Sequence, residues 1–126
     1  MVVNGYNPIM KTLVLEPDAA SRTKGCCQPV AAPVSDKVAT ELSDLGKAVG
    51  DPTRVQLLHM LKAAKEPICV CDFTAAFDLG QPTISHHLAK LRDAGLVESH
   101  KQGIWAFYAL SKDLTGNAQS ILSAIP

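Results

Sequence analysis

The chain has 126 residues, 47% hydrophobic and 19% charged, which is enough for one domain with a modest core, too short for two, and too apolar for disorder throughout. Twelve lysines and arginines balance twelve aspartates and glutamates, which excludes a globally basic nucleic-acid binder and leaves any DNA contact to local placement. The longest apolar run near the N-terminus, TLVLEP, is too short for a signal-peptide core or a membrane span, so a soluble, cytoplasmic protein with reduced cysteines is expected.

Residues 1–35 contain Pro8, Pro17, Pro29 and Pro33 and no sustained helical periodicity, and are expected to form a flexible N-terminal arm carrying Cys26 and Cys27. Met10 opens MKTLVLEP like an ordinary N-terminus, so either Met1 or Met10 could be the start. Residues 36–126 are expected to form the compact domain. Its first helix is marked by Val38, Leu42, Leu45 and Val49 at amphipathic spacing, with Ser35 or Asp36 as the cap. GDPTR then stops and restarts the chain: Gly50 suits a helix C-terminus, Asp51 an N-cap, and Pro52 the first turn of a second helix. That helix buries Leu57, Leu58 and Leu61.

Pro67 ends the next link, and a short third helix is expected from about Val70 to Leu79. Gly80 breaks the chain before a fourth helix beginning at Pro82, so the pair reads as a helix-turn-helix. At about 100° per residue, Ile84, Leu88 and Leu91 share the core-facing stripe, Thr83, His86 and Lys90 lie opposite, and Ser85 and His87 flank it. After Gly95, LVESHKQGIWAFYAL alternates as two strands turning at KQG. Leu114, Ile121, Leu122 and Ile125 mark a last helix. The fold class is therefore mainly α with a small β-hairpin, a winged helix-turn-helix.

A winged helix presents its second motif helix to a DNA major groove and its ribbon tip to the backbone or minor groove. Gln81, Thr83, Ser85 and His86 would supply hydrogen-bonding side chains near the start of that helix, and Lys90 and Lys101 would meet phosphates. The plain alternative is a merely solvated polar face. No nucleophile has a base and an orienting partner at recognisable spacing, so no enzyme and no organic cofactor are expected. His59 reads as a boundary residue, His87 as a packing residue, His100 as part of the wing, and Trp105 and Tyr108 as wing packing.

Four cysteines remain. Thiolates select soft or thiophilic ions, and Cys69 and Cys71 stand at the start of the third helix, where the helix dipole is expected to favour the thiolate form. Positions i and i+2 of a regular helix diverge by about 200°, so both could hold one ion only if the chain is still turning into the helix there. Adjacent Cys26 and Cys27 could swing onto an ion held elsewhere. The alternatives are a buried apolar cysteine beside Val70 and incidental arm residues. A thiol redox switch is a further possibility, although CC and CxC are not the CxxC of exchange enzymes.

LGKAVGDPTRVQLLHML, ICVCD, QPTISHHLAKLRDAGLV and KQGIWAFYAL together resemble the ArsR/SmtB family of winged-helix metal-sensing repressors, across about residues 36–111. The resemblance implies a homodimer built from the first and last helices, bound to double-stranded operator DNA until metal arrives. It assigns the fourth helix to DNA, and its CVCD box is similar to that of arsenic-responsive and of cadmium- and lead-sensing members. Arsenite and antimonite take three thiolates; cadmium, lead and zinc accept more. Where some arsenic repressors carry CVCDLC, this chain has Thr74, so one ligand is missing and Cys26 or Cys27 would replace it, from either subunit. Arsenite or antimonite is the expected inducer, with cadmium, lead or zinc on four thiolates as the alternative. The family's zinc site between last helices is not expected, because after residue 110 the chain has only Asp113 and no histidine.

Overall fold

The computed structural model describes residues 22–24 and 26–126. The chain divides into two units between Ser35 and Asp36. In the first, β1 (Arg22–Lys24) and β2 (Pro29–Ala31) form an antiparallel hairpin that the sequence does not announce, with Thr23 opposite Val30. Cys26 and Cys27 lie in its turn, both exposed.

The second unit carries α1 (Asp36–Val49), α2 (Pro52–Ala63), β3 (Ile68–Cys69), α3 (Val70–Ala76), α4 (Gln81–Asp93), β4 (Val97–Gln102), β5 (Trp105–Leu110) and α5 (Gly116–Ser123). The α1–α2 joint follows the expected chemistry. Asp51 accepts the Arg54 backbone N–H at 3.1 Å, and Pro52 opens the helix where a missing N–H costs nothing. At the far end, Thr115 caps α5 by accepting the Ala118 N–H at 3.1 Å. The end of α5 is closed by Lys62 of α2, whose ammonium donates to the Leu122 and Ile125 carbonyls at 2.7 and 2.6 Å, so the last helix is tied to the second.

The core gathers one stripe from each helix: Leu45, Leu57, Leu58, Leu61, Phe73, Ile84, Leu88 and Leu91, closed by Leu96, Val97, Tyr108, Ala118 and Leu122. The three α4 residues expected to face inward are all fully buried. Val38 and Leu42, by contrast, leave the expected α1 stripe exposed.

Three details depart from expectation. α3 ends at Ala76 rather than near Leu79, because Phe77 turns to extended backbone, folding its ring against the core while its N–H still caps Phe73. Ile68 and Cys69 form a third strand, so the wing sheet runs β3-β5-β4, all antiparallel. Finally, the wing turns at Gly103 and Ile104, one step later than KQG, on a positive φ of 65° at Gly103 that favours glycine. No helix among the described residues is long and apolar enough to cross a membrane.

Candidate DNA-reading face and thiol pairs

α3, a bend at residues 77–79 and α4 place the candidate DNA-reading face. Gly80 precedes α4 with extended backbone and Pro82 sits in the first turn, so the helix starts abruptly and its first side chains stand clear. Gln81, Thr83, His86 and Lys90 are exposed, and Ser85 is half-buried. Thr83, His86 and Lys90 lie on the side opposite the Ile84–Leu88–Leu91 stripe, while Ser85 flanks it and Gln81 stands at the start of the helix. Lys101 is exposed on β4, close to the wing turn. Ile104 is 88% exposed and Trp105 50%; Trp105 is therefore not packed into the wing, whereas Tyr108 is buried. His100 stacks on Phe107 across the ribbon at 5.7 Å.

The remaining histidines have specific partners. His59 is exposed and its Nδ1 donates to the Pro126 carbonyl at 2.7 Å. His87 does more than pack: its Nδ1 lies 3.0 Å from Arg54 Nη1. A guanidinium can only donate, so His87 accepts at Nδ1 and keeps its proton on Nε2. Arg54 Nε donates to the Ala48 carbonyl at 2.5 Å, and Nη2 to that of Lys47 at 3.2 Å. Sequence reasoning missed Arg54. The available signal was GDPTR itself, since a helix stopped at Gly50 leaves its last carbonyls without partners and a long donor four residues on can return to them.

Asp51 completes this joint, 3.8 Å from His87 Nδ1. The Arg54 backbone N–H first, then the facing His87 and Arg54, hold the Asp51 carboxyl below its ordinary 3.8 against the opposing effect of desolvation. Because the folded value is the lower one, this stabilisation is complete above the unfolded aspartate range and fades as pH falls through the folded value. Thermal midpoints measured down through the acid range should therefore drop more steeply for the wild type than for Asp51→Asn, in which that position no longer titrates.

Cys69 is the N-cap residue of α3, with φ −69° and ψ 144°, and Cys71 is in the first turn. The extended backbone at Cys69 undoes the divergence of a regular i, i+2 pair. The two sulfurs meet at 2.8 Å, Cys71 donating to Cys69. Cys69 is buried and Cys71 exposed, so the pair opens to solvent on the Cys71 side. The expected dipole-favoured thiolate is not found at Cys71. The hydrogen bond to Cys69, then desolvation and the neighbouring Cys69 and Asp72 charges, push the Cys71 thiol up; donation to the Cys69 sulfur outweighs the end of a seven-residue helix. Thr74, in the third position of the box, donates its hydroxyl to the Cys71 carbonyl at 2.8 Å.

In the hairpin turn, the Cys26 and Cys27 sulfurs are 3.6 Å apart. Among the described residues no group of three or more His, Cys, Asp or Glu side chains is placed to hold a metal ion. The candidate donors are two separate pairs of thiols, one in each unit. A zinc–sulfur bond of about 2.3 Å in a tetrahedron sets sulfurs about 3.8 Å apart. The hairpin pair is near that spacing, and the box pair would have to open by about 1 Å to hold such an ion.

A helix-turn-helix with an exposed polar second helix, flanked by a two-stranded wing, defines the class as a winged-helix DNA-binding regulator. The family model described as "Bacterial regulatory protein, arsR family" matches residues 51–99. The putative arsenical resistance operon repressor ArsR2 of Halobacterium salinarum is 40% identical over 83 residues, 66% of this chain and 69% of that one. The Escherichia coli K12 arsenical resistance operon repressor is 42% identical over 78 residues, 62% of this chain and 66% of its own length. The homodimeric winged helix-turn-helix domain Mb0332 of Mycobacterium bovis superposes with a TM-score of 0.58 at 24% identity, over 73% of this chain and 83% of that one. The chain belongs to the ArsR family: it is a DNA-binding transcriptional repressor, not an enzyme.

Proposed function

We propose that the chain occupies operator DNA as a cytoplasmic homodimer and releases it when arsenite or antimonite binds Cys69 and Cys71, with a third sulfur from Cys26 or Cys27 of the same or the partner subunit. The observation that carries this reading is the 2.8 Å meeting of Cys69 and Cys71 at the front of α3, next in the chain to the DNA-reading helix. The arsenical resistance named for the relatives supports it. Gln81, Thr83, Ser85 and His86 read base edges, and Lys90 and Lys101 hold phosphates. Val38 and Leu42, exposed on α1, are covered by the second copy. Residues 1–35 serve as the arm that delivers the completing thiol.

Thiolate coordination then opposes DNA binding by linkage: the ion favours a conformation whose two α4 helices no longer match successive grooves. The test is a titration of a labelled duplex, selected by the wild-type protein from a randomised pool, with and without arsenite. Affinity should fall on addition of arsenite; unchanged affinity at saturation overturns the reading.

The 3.6 Å hairpin pair favours one second reading, a cadmium or lead site of four thiolates. Proton balance separates the two. Arsenite exchanges hydroxides for thiols, As(OH)₃ + 3 RSH → As(SR)₃ + 3 H₂O, with no net proton release. Cadmium must expel the thiol protons, Cd²⁺ + 4 RSH → Cd(SR)₄²⁻ + 4 H⁺. With the Cys71 thiol pushed up, cadmium affinity should climb steeply as pH rises towards the thiol range while arsenite affinity stays nearly flat. Calorimetry in buffers of different ionisation enthalpy counts the protons.

A further inference from the structure

We infer that Arg54 is a positioning residue for DNA reading, setting the angle at which α4 presents its polar face. This rests on the assignment of α4 to DNA made above. One guanidinium holds three elements: it donates to the Lys47 and Ala48 carbonyls at the end of α1 and to His87 Nδ1 on α4, while its own backbone N–H is held by the Asp51 cap of α2. His87 adjoins His86 in sequence and flanks the buried stripe on the side of α2. Holding it fixes the rotation of α4 about its own axis, and with it the direction of Thr83, Ser85 and His86. The α4 core contacts, Ile84, Leu88 and Leu91, are aliphatic and non-directional. The Arg54–His87 bond is directional and spans 33 residues of chain.

The alternative role for Arg54 is a direct phosphate contact, because it also borders a cleft of about 340 Å³ with Lys47 and Lys90. Salt dependence separates the two, since each lost phosphate contact flattens the slope of log affinity against log salt by about one.

The experiment measures affinity of the full chain for the selected duplex, at several salt concentrations, for Arg54→Gln, His87→Leu, the double variant and His87→Asn, with thermal midpoints to confirm folding. Arg54→Gln and His87→Leu should each weaken binding about tenfold, without changing the salt slope and without adding in the double variant, as expected of two ends of one contact. His87→Asn, which keeps an acceptor near the Nδ1 position, should recover most of the loss.

A slope reduced by about one in Arg54→Gln makes Arg54 a phosphate ligand and overturns the inference. Additive losses, or none, also overturn it. If Arg54→Gln fails to fold, the comparison of His87→Leu with His87→Asn decides alone, because both leave the α1–α2 joint intact: equal affinities defeat the inference. Thr83→Ala and Ser85→Ala identify which reading has failed. Should they bind like wild type, α4 does not read DNA and both ideas fall; should they bind weakly while the Arg54 and His87 variants do not, only the positioning role falls.

Discussion

Serine at Cys69 or Cys71 should leave a folded repressor that binds its DNA and no longer responds to arsenite. Serine is a good N-cap, so Cys69→Ser keeps or improves the start of α3, and Cys71 is exposed. Neither side chain lies on the exposed face of α4 proposed to read DNA. What disappears is the pair of sulfurs. Couplings between ligand sites commonly amount to about 5- to 150-fold in affinity, so arsenite should weaken wild-type DNA binding by at least about tenfold and that of either variant by less than about twofold. Fluorescence anisotropy on the selected duplex measures both, and a serine variant that still lets go removes the box from the site.

Thr74 sharpens the same experiment. It stands three residues beyond Cys71 and already touches the Cys71 carbonyl. Cys26→Ser with Cys27→Ser should abolish the arsenite response, and adding Thr74→Cys should restore it by supplying the third sulfur within α3. A response surviving without Cys26 and Cys27 would show that two thiols suffice.

Phe73→Ala should be the most damaging single change to the fold of the second unit. At seven residues, α3 is too short to hold itself helical in water; it persists because Val70 and Phe73 are buried, Phe73 completely. Truncating such a phenylalanine costs about 3–5 kcal/mol, against about 5–15 kcal/mol for a whole small domain. Urea unfolding should show the midpoint collapse, and arsenite affinity should fall with it, because the N-cap geometry that brings Cys69 to Cys71 depends on the helix being docked. A loss under about 1 kcal/mol would mean that the α3 site relaxes around the void.

Much of this was legible in the sequence where one residue type had one local job. Asp51 before Pro52 fixes a helix start, Gly50 a stop, and the Ile84–Leu88–Leu91 spacing a buried stripe. These need no knowledge of the rest of the chain. What escaped depended on distant partners. Ile68 and Cys69 are too few to show a period, and become a strand only because Tyr108 and Phe107 pair with them. Arg54 looks like a solvated charge in a first turn until His87 is brought beside it. The thiol pair was half legible: spacing and the preceding proline pointed to convergence, but the sulfur-to-sulfur hydrogen bond that pushes the Cys71 thiol up is a matter of tenths of an ångström. Trp105, placed by alternation in the wing packing, is instead half exposed near the ribbon tip, where only two strands exist to cover it.

The strand at Cys69 carries one more implication. Cys69 is at once the N-cap of the scaffold helix that leads into α4 and the ladder partner of Phe107, whose ring stacks on His100 of the opposite wing strand. The buried sulfur therefore sits at the hub of a crank: one arm leads through α3 to α4, the other through β5 to the ribbon. On the proposed reading, a displacement of about 1 Å at that hub, the opening an incoming ion would demand, would reach both arms together, so that the grip on DNA would loosen at groove and backbone in a single movement.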